Sequence, residues 1–70
     1  MPLYVIVAED EHKIPVVLTE WIHGIEWIPI TEARARRVTP RTFRDRWRAK
    51  RQSLRLPRGL VTRVIPLDRL

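Results

Sequence analysis

The chain has 70 residues and a mass of 8.4 kDa, which leaves room for one hydrophobic core and excludes a multidomain enzyme. It contains no cysteine, so disulfide staples, thiolate metal clusters and a cysteine nucleophile are excluded as well. Fourteen Lys and Arg against eight Asp and Glu give a net charge of +6, which directs the search for partners towards anions.

In chain order, Leu3 to Ala8 is apolar and rich in β-branched residues, and it ends in Glu9-Asp10-Glu11, the pattern of a strand followed by a turn. Residues 14 to 24 read as a short helix, with Val17, Leu18, Trp21 and Ile22 at helical spacing, Pro15 in the first turn and Gly24 at the C-cap. A strand over Ile14-Pro15-Val16-Val17-Leu18 is the competing reading. Ile25 to Ile30 carries Pro29 and reads as an extended segment or edge strand. Thr31 and Glu32 then open a short helix as N-cap and first-turn acid.

Val38-Thr39-Pro40 breaks that helix and starts another, with Thr39 as N-cap and Pro40 at the first helical position, where a missing N–H is harmless. Projected at 100° per residue, Phe43, Trp47, Lys50 and Leu54 fall within about 60° of one another, opposite Arg41, Asp45 and Arg48, with Arg44 on the flank. Phe43 and Trp47, one turn apart, are expected to be buried together and to leave a basic outer face ending at Arg51. Leu56-Pro57-Arg58-Gly59 followed by Val61 to Ile65 reads as a two-stranded ribbon turning near Gly59. Leu67 and Leu70 are placed to pack the chain end onto the core. No apolar run reaches the roughly 18 residues of a membrane span, and the expectation is a soluble, cytoplasmic protein that does not engage membranes.

Charge is divided along the chain. Residues 1–30 hold one base and five acids (Glu9, Asp10, Glu11, Glu20, Glu26), a net of −4. Residues 31–70 hold thirteen bases and three acids, a net of +10. A field of that sign and density concentrates polyanions regardless of sequence. Twelve of the fourteen bases are Arg, whose planar fork bonds O6 and N7 of guanine together.

Two helices separated by a short break, followed by a basic ribbon, predict a single domain over 1–70 of α+β class. It is a small winged helix-turn-helix domain with a short N-terminal β-strand element: an acidic apolar segment over 1–30 and a basic DNA-binding part over 31–70. The helix from Pro40 would enter the major groove of duplex DNA, with Thr39, Arg41, Thr42, Arg44, Asp45, Arg48 and Arg51 as its contact residues. Arg58 and Arg63 on the 56–65 wing would reach an adjacent groove or phosphate. Asp45 either forms ordinary ion pairs with Arg41 and Arg48 or accepts from cytosine N4.

The run Val38-Thr39-Pro40-Arg41-Thr42-Phe43-Arg44-Asp45-Arg46-Trp47, the Leu56-Pro57 pair and the closing Arg63-Val64-Ile65-Pro66-Leu67-Asp68-Arg69-Leu70 together resemble the winged helix-turn-helix of phage excisionases and MerR-like DNA-binding domains. The likeness covers about residues 28–70, with Thr39 in place of the family's serine, Thr42 matching its threonine and Phe43 its aliphatic residue. The resemblance implies a recombination directionality or architectural factor, or a small transcriptional regulator, of a phage or mobile element. Its partners would be double-stranded DNA, further copies of the chain assembled head to tail, and a recombinase. The first helix of the motif starts at either Thr31 or Thr19.

Other chemistries find little support. His12 and His23 are too few for a metal site, the acids at 9–11 match a solvated turn, and Ser53 has no histidine near it in sequence. No cofactor, metal or catalytic role is expected. The tryptophans read as core, with Trp27 the candidate for a protomer contact. An RNA-binding or ribosome-associated basic protein is the alternative, followed by a protein-interaction module with an acidic partner.

Overall fold

The computed structural model describes residues 2–20, 22–56 and 60–70. Its elements are β1 (Tyr4–Glu9), β2 (Pro15–Glu20), β3 (Glu26–Pro29), α1 (Ile30–Ala35), α2 (Arg46–Arg55) and β4 (Val61–Pro66), closed by a 3-10 turn over Leu67–Arg69. The strands form one antiparallel sheet in the order β3-β2-β1-β4, giving a small α+β fold with four strands and two helices.

The sheet is covered on both faces, and this explains the run of apolar residues in β1. Val5, Ile6, Val7 and Ala8 are all buried although they point alternately to opposite sides. Val5, Val7 and Val17 pack with Ala33 of α1, joined by Ile28, Ile30, Val38, Ile65, Leu67 and Leu70. Ile6 and Leu18 pack on the other face with Ala49 of α2 and Leu56, joined by Tyr4, Trp27, Phe43 and Val64. Fully burying Val5, Ile6, Val17 and Leu18 contributes about 1.5–3 kcal/mol each.

Local chemistry fixes the turns and ends. The Asp10 carboxylate accepts from the His12 and Ile14 N–H groups at 2.8 and 2.9 Å and organises the β1–β2 turn, in which Lys13 takes φ 61°. Helix α1 ends in a Schellman arrangement: the Val38 N–H donates to Ala33 C=O (2.9 Å) and the Arg37 N–H to Arg34 C=O (3.3 Å), with Arg37 at φ 54°. The Arg34 guanidinium donates to the Leu70 carbonyl, holding the chain end over α1.

The strand over Leu3 to Ala8, the extended segment around Pro29, the first-turn Glu32 and the packing of Leu67 and Leu70 match expectation. Other expected elements differ. The short helix at 14–24 is replaced by β2, because Val17 and Leu18 serve opposite faces of a sheet covered on both sides. Helix α1 begins at Ile30, with Pro29 and not Thr31 at its N-cap position. The helix expected from Thr39-Pro40 begins six residues later, at Arg46. In a helix capped by Thr39 the Arg41 amide would donate to the cap side chain and the Phe43 amide to the Thr39 carbonyl; they bond instead to the carbonyls of Leu18 (3.0 Å) and Tyr4 (2.8 Å).

Of the expected 56–65 ribbon, the strand over Val61 to Ile65 is present as β4, but its partner is β1 and not the segment at Leu56. Leu56 is the buried C-cap of α2, and β4 pairs along β1 from Tyr4↔Pro66 to Glu9↔Val61. Pro57, Arg58 and Gly59, the expected turn, and Trp21 lie outside the described residues. Helices α1 and α2 lie on opposite faces of the sheet, α1 against β2 and β3 and α2 against β1 and β4, so a winged helix-turn-helix arrangement is not confirmed. Among the described residues no helix is long and apolar enough to cross a membrane.

Helix α2 meets the sheet through Ala49, which is fully buried, whereas Trp47 is 76% exposed. Ala49→Leu therefore overpacks the contact and lowers stability by about 1–3 kcal/mol, while Trp47→Ala changes it by no more than about 0.5 kcal/mol. Urea unfolding followed by circular dichroism checks both, and the reverse order would place the opposite face of the helix on the sheet.

Candidate nucleic-acid interface

The start of α2 is set by two local features. Tyr4 and Phe43 exchange backbone hydrogen bonds at 2.8 Å in each direction, as an antiparallel bridge at the beginning of β1. This carries the chain across the end of the sheet in extended form and tucks Phe43 against the α2-side core. Asp45 then caps the helix, its Oδ1 accepting from the Trp47 N–H at 2.8 Å. Aspartate ranks above threonine as an N-cap, and with Arg41 and Phe43 bonded to the sheet it takes the role expected of Thr39.

The rotation of α2 follows from what it buries. Ala49 and Leu56 face the core, Gln52 and Ser53 are half-buried beside them, and Arg46, Trp47, Arg48, Lys50, Arg51, Leu54 and Arg55 are exposed. The helix carries four Arg, one Lys and no acid. Trp47 and Leu54, expected in the core, point to solvent at 76% and 80% exposure. Larger side chains at the inner positions would hold the helix further from the sheet.

On one flank of α2 lies a cleft of about 390 Å³ lined by Arg41, Thr42, Phe43, Arg44, Arg48 and Gln52. Four of the expected contact residues, Arg41, Thr42, Arg44 and Arg48, are thus brought together, although the element that unites them is an extended segment against a helix. Among the described residues Arg44 and Arg48 have no carboxylate partner, and no acid lines the cleft. Guanidinium groups, a hydroxyl and an amide around a concave opening are donors suited to phosphate oxygens.

The remaining expected residues are dispersed. Thr39 is exposed in the segment before the cleft and caps no helix. Asp45 serves as the cap of α2 through its Oδ1. Arg51 lies on the outer side of α2, where it lines a smaller depression of about 160 Å³ with Trp47, Lys50 and Leu54. Arg63 is opposite Val7 and shares a sheet face with Ile65, so it projects from the α1 side, away from the cleft. Arg58 lies outside the described residues. Gln52 also lines the cleft and Trp47 is exposed beside it; the sequence signal for this rotation is the acid-free helix with small Ala49 and Ser53 on the side that ends in Leu56.

Among the described residues no group of three or more His, Cys, Asp or Glu is placed to hold a metal ion. No protein-family profile, characterised protein or solved structure matches the chain.

The cap makes a separable contribution. Asp45→Ala lowers stability by about 0.5–2 kcal/mol, and Asp45→Asn, which keeps the accepting oxygen, recovers most of it. Equilibrium unfolding of the two variants measures the difference; equal losses would show that Asp45 acts through its charge and not through the Trp47 amide.

Proposed function

We propose that the protein is a nucleic-acid-binding protein, with duplex DNA as its partner, that uses α2 and the 41–44 segment as its contact surface. The observation that carries this reading is the cleft lined by Arg44 and Arg48 with no acid in its lining. The physical basis is phosphate neutralisation: each guanidinium that meets a phosphate releases condensed counterions and contributes sequence-independent affinity. Helix α2 is about 15 Å long at 1.5 Å per residue and exposes one whole side, dimensions suited to a major groove. Arg44, Arg46, Arg48, Arg51 and Arg55 are the residues proposed to reach phosphates or guanine edges.

The setting proposed for this activity is regulatory or architectural, in the manner of small excisionase-like or MerR-like factors of phages and mobile elements. Support for it comes from the motif resemblance over residues 28–70, which also carries the proposals of a winged helix-turn-helix ancestry, a recombinase partner and a cytoplasmic location. Copies lined up along DNA are supported by the division of charge along the chain, −4 over residues 1–30 and +10 over residues 31–70. The role is one of binding and not of catalysis. Folded RNA is the second reading, supported by Trp47, whose exposed ring is suited to an unstacked base.

Fluorescence anisotropy with a labelled duplex tests the reading. The Arg44→Ala/Arg48→Ala variant is expected to bind about 5- to 150-fold more weakly, with the slope of log affinity against log salt reduced by about 1 for each lost phosphate contact. The Arg36→Ala/Arg37→Ala variant removes the same charge from the other face and is expected to lose much less. Equal losses for the two variants would reduce the interaction to net charge, and preferential competition by structured RNA would favour the second reading.

A further inference from the structure

The phosphate-binding cleft does not account for the most unusual feature of α2, an indole and a leucine held in water on a helix otherwise covered by cations. Trp47 and Leu54 are two turns apart on the outer side of the helix, at 76% and 80% exposure. With Lys50 and Arg51 they line the depression of about 160 Å³. The Lys50 ammonium lies over the Trp47 ring, 5.8 Å from its centre, and leaves the other ring face to a ligand. Exposed apolar groups beside cations suit a ligand that is flat and apolar in one part and anionic in the next.

We infer that this depression takes an unpaired nucleobase, stacked on Trp47 and resting against Leu54, while the phosphates on either side of that base are held by Lys50 and Arg51 and by the Arg44–Arg48 cleft. The inference rests on the nucleic-acid reading and deepens it, because it names the substrate class as nucleic acid with bases free of the duplex stack: a single-stranded segment, a loop or an opened step. Three observations carry it. The depression is small, suited to one heteroaromatic ring system and not to a folded partner. It lies beside the basic cleft on the same ten-residue helix, with Arg48 on one and Trp47 on the other, so one strand can lay its backbone along the cleft while one base turns outward. The charged residues in its lining, Lys50 and Arg51, are both cations, which matches a phosphodiester on either side of a neutral ring. An acidic peptide satisfies the cations but leaves the indole with no flat partner.

The test compares oligodeoxythymidine with an abasic oligonucleotide of equal length and charge, titrated into the full chain at fixed salt. The wild-type protein is expected to bind the base-carrying strand about 5- to 150-fold more tightly than the abasic one. In Trp47→Ala that ratio falls to about one, and Trp47→Phe, which keeps a ring, restores part of it. Arg44→Ala/Arg48→Ala weakens both strands alike. Since Trp47 is exposed, its replacement leaves the fold intact, and circular dichroism confirms this. Oligouridine in place of oligodeoxythymidine identifies RNA or DNA as the source of the base.

A wild-type protein that binds both strands equally, with salt-dependent affinity that the double arginine variant lowers, overturns the stacking inference and leaves the nucleic-acid reading standing. Absence of salt-dependent binding to either strand and to a duplex of equal length overturns both. Polyglutamate that displaces the strand as well as oligodeoxythymidine does overturns the base in favour of an acidic peptide.

Discussion

Helix α2 rests on the sheet through Ala49 and Leu56, and the small side chain at 49 fixes the rotation of the helix and with it the character of the whole outer surface. With Ala49 against Ile6 and Leu18, every long side chain of the helix must point sideways or outward. Its placement is also fixed at its ends: the Asp45 cap and the Tyr4–Phe43 bridge before it, and buried Leu56 after it. The extended 41–44 segment lies beside the helix because of that bridge, and the basic cleft forms between the two. Fold and candidate site therefore share one cause.

The two faces of the sheet have different duties. On one, α1 with Ile28, Val38, Leu67 and Leu70 completes a core and the chain end is tied back to Arg34. On the other, α2 completes a second core while presenting cations. Arginines occur on both sides, but those of α1 differ in setting: Arg36 is paired with Glu32 at 2.9 Å and Arg34 is bonded to the Leu70 carbonyl, whereas Arg44 and Arg48 flank an open cleft. The division of charge along the sequence thus understates how unequal the two faces are.

How much was legible in the sequence varied with how local its cause is. Strand β1, its acidic turn and the edge strand ending at Pro29 were readable because β-branched runs, Asp and Pro act on their own neighbourhood. Residues 14–18 were ambiguous for a physical reason: a strand buried on both faces has no alternation, and Val17 and Leu18 suit a helix as well as a doubly covered strand. The start of α2 was misplaced because Thr39-Pro40 is a sound local start signal that loses to distant partners, the carbonyls of Leu18 and Tyr4. Moving the start to Arg46 changed which residues lie inward, since burial followed the side of Ala49 and not the largest apolar side chains. The pairing of β4 with β1 spans almost the whole chain and left no local trace. Arg41, Thr42, Arg44 and Arg48 nonetheless line one cleft, because charge density survives an error in helix register.

Amide chemical-shift mapping of the isotope-labelled protein, titrated with a short DNA duplex, tests the central claim most directly. Shifts concentrated in residues 41–55, with Arg34, Arg36, Arg37 and the Asp10–Lys13 turn unmoved, are the result expected of an interface built on the outer face of α2. Shifts concentrated on the α1 arginines or on the β1–β2 turn, with Arg44 and Arg48 silent, would contradict it.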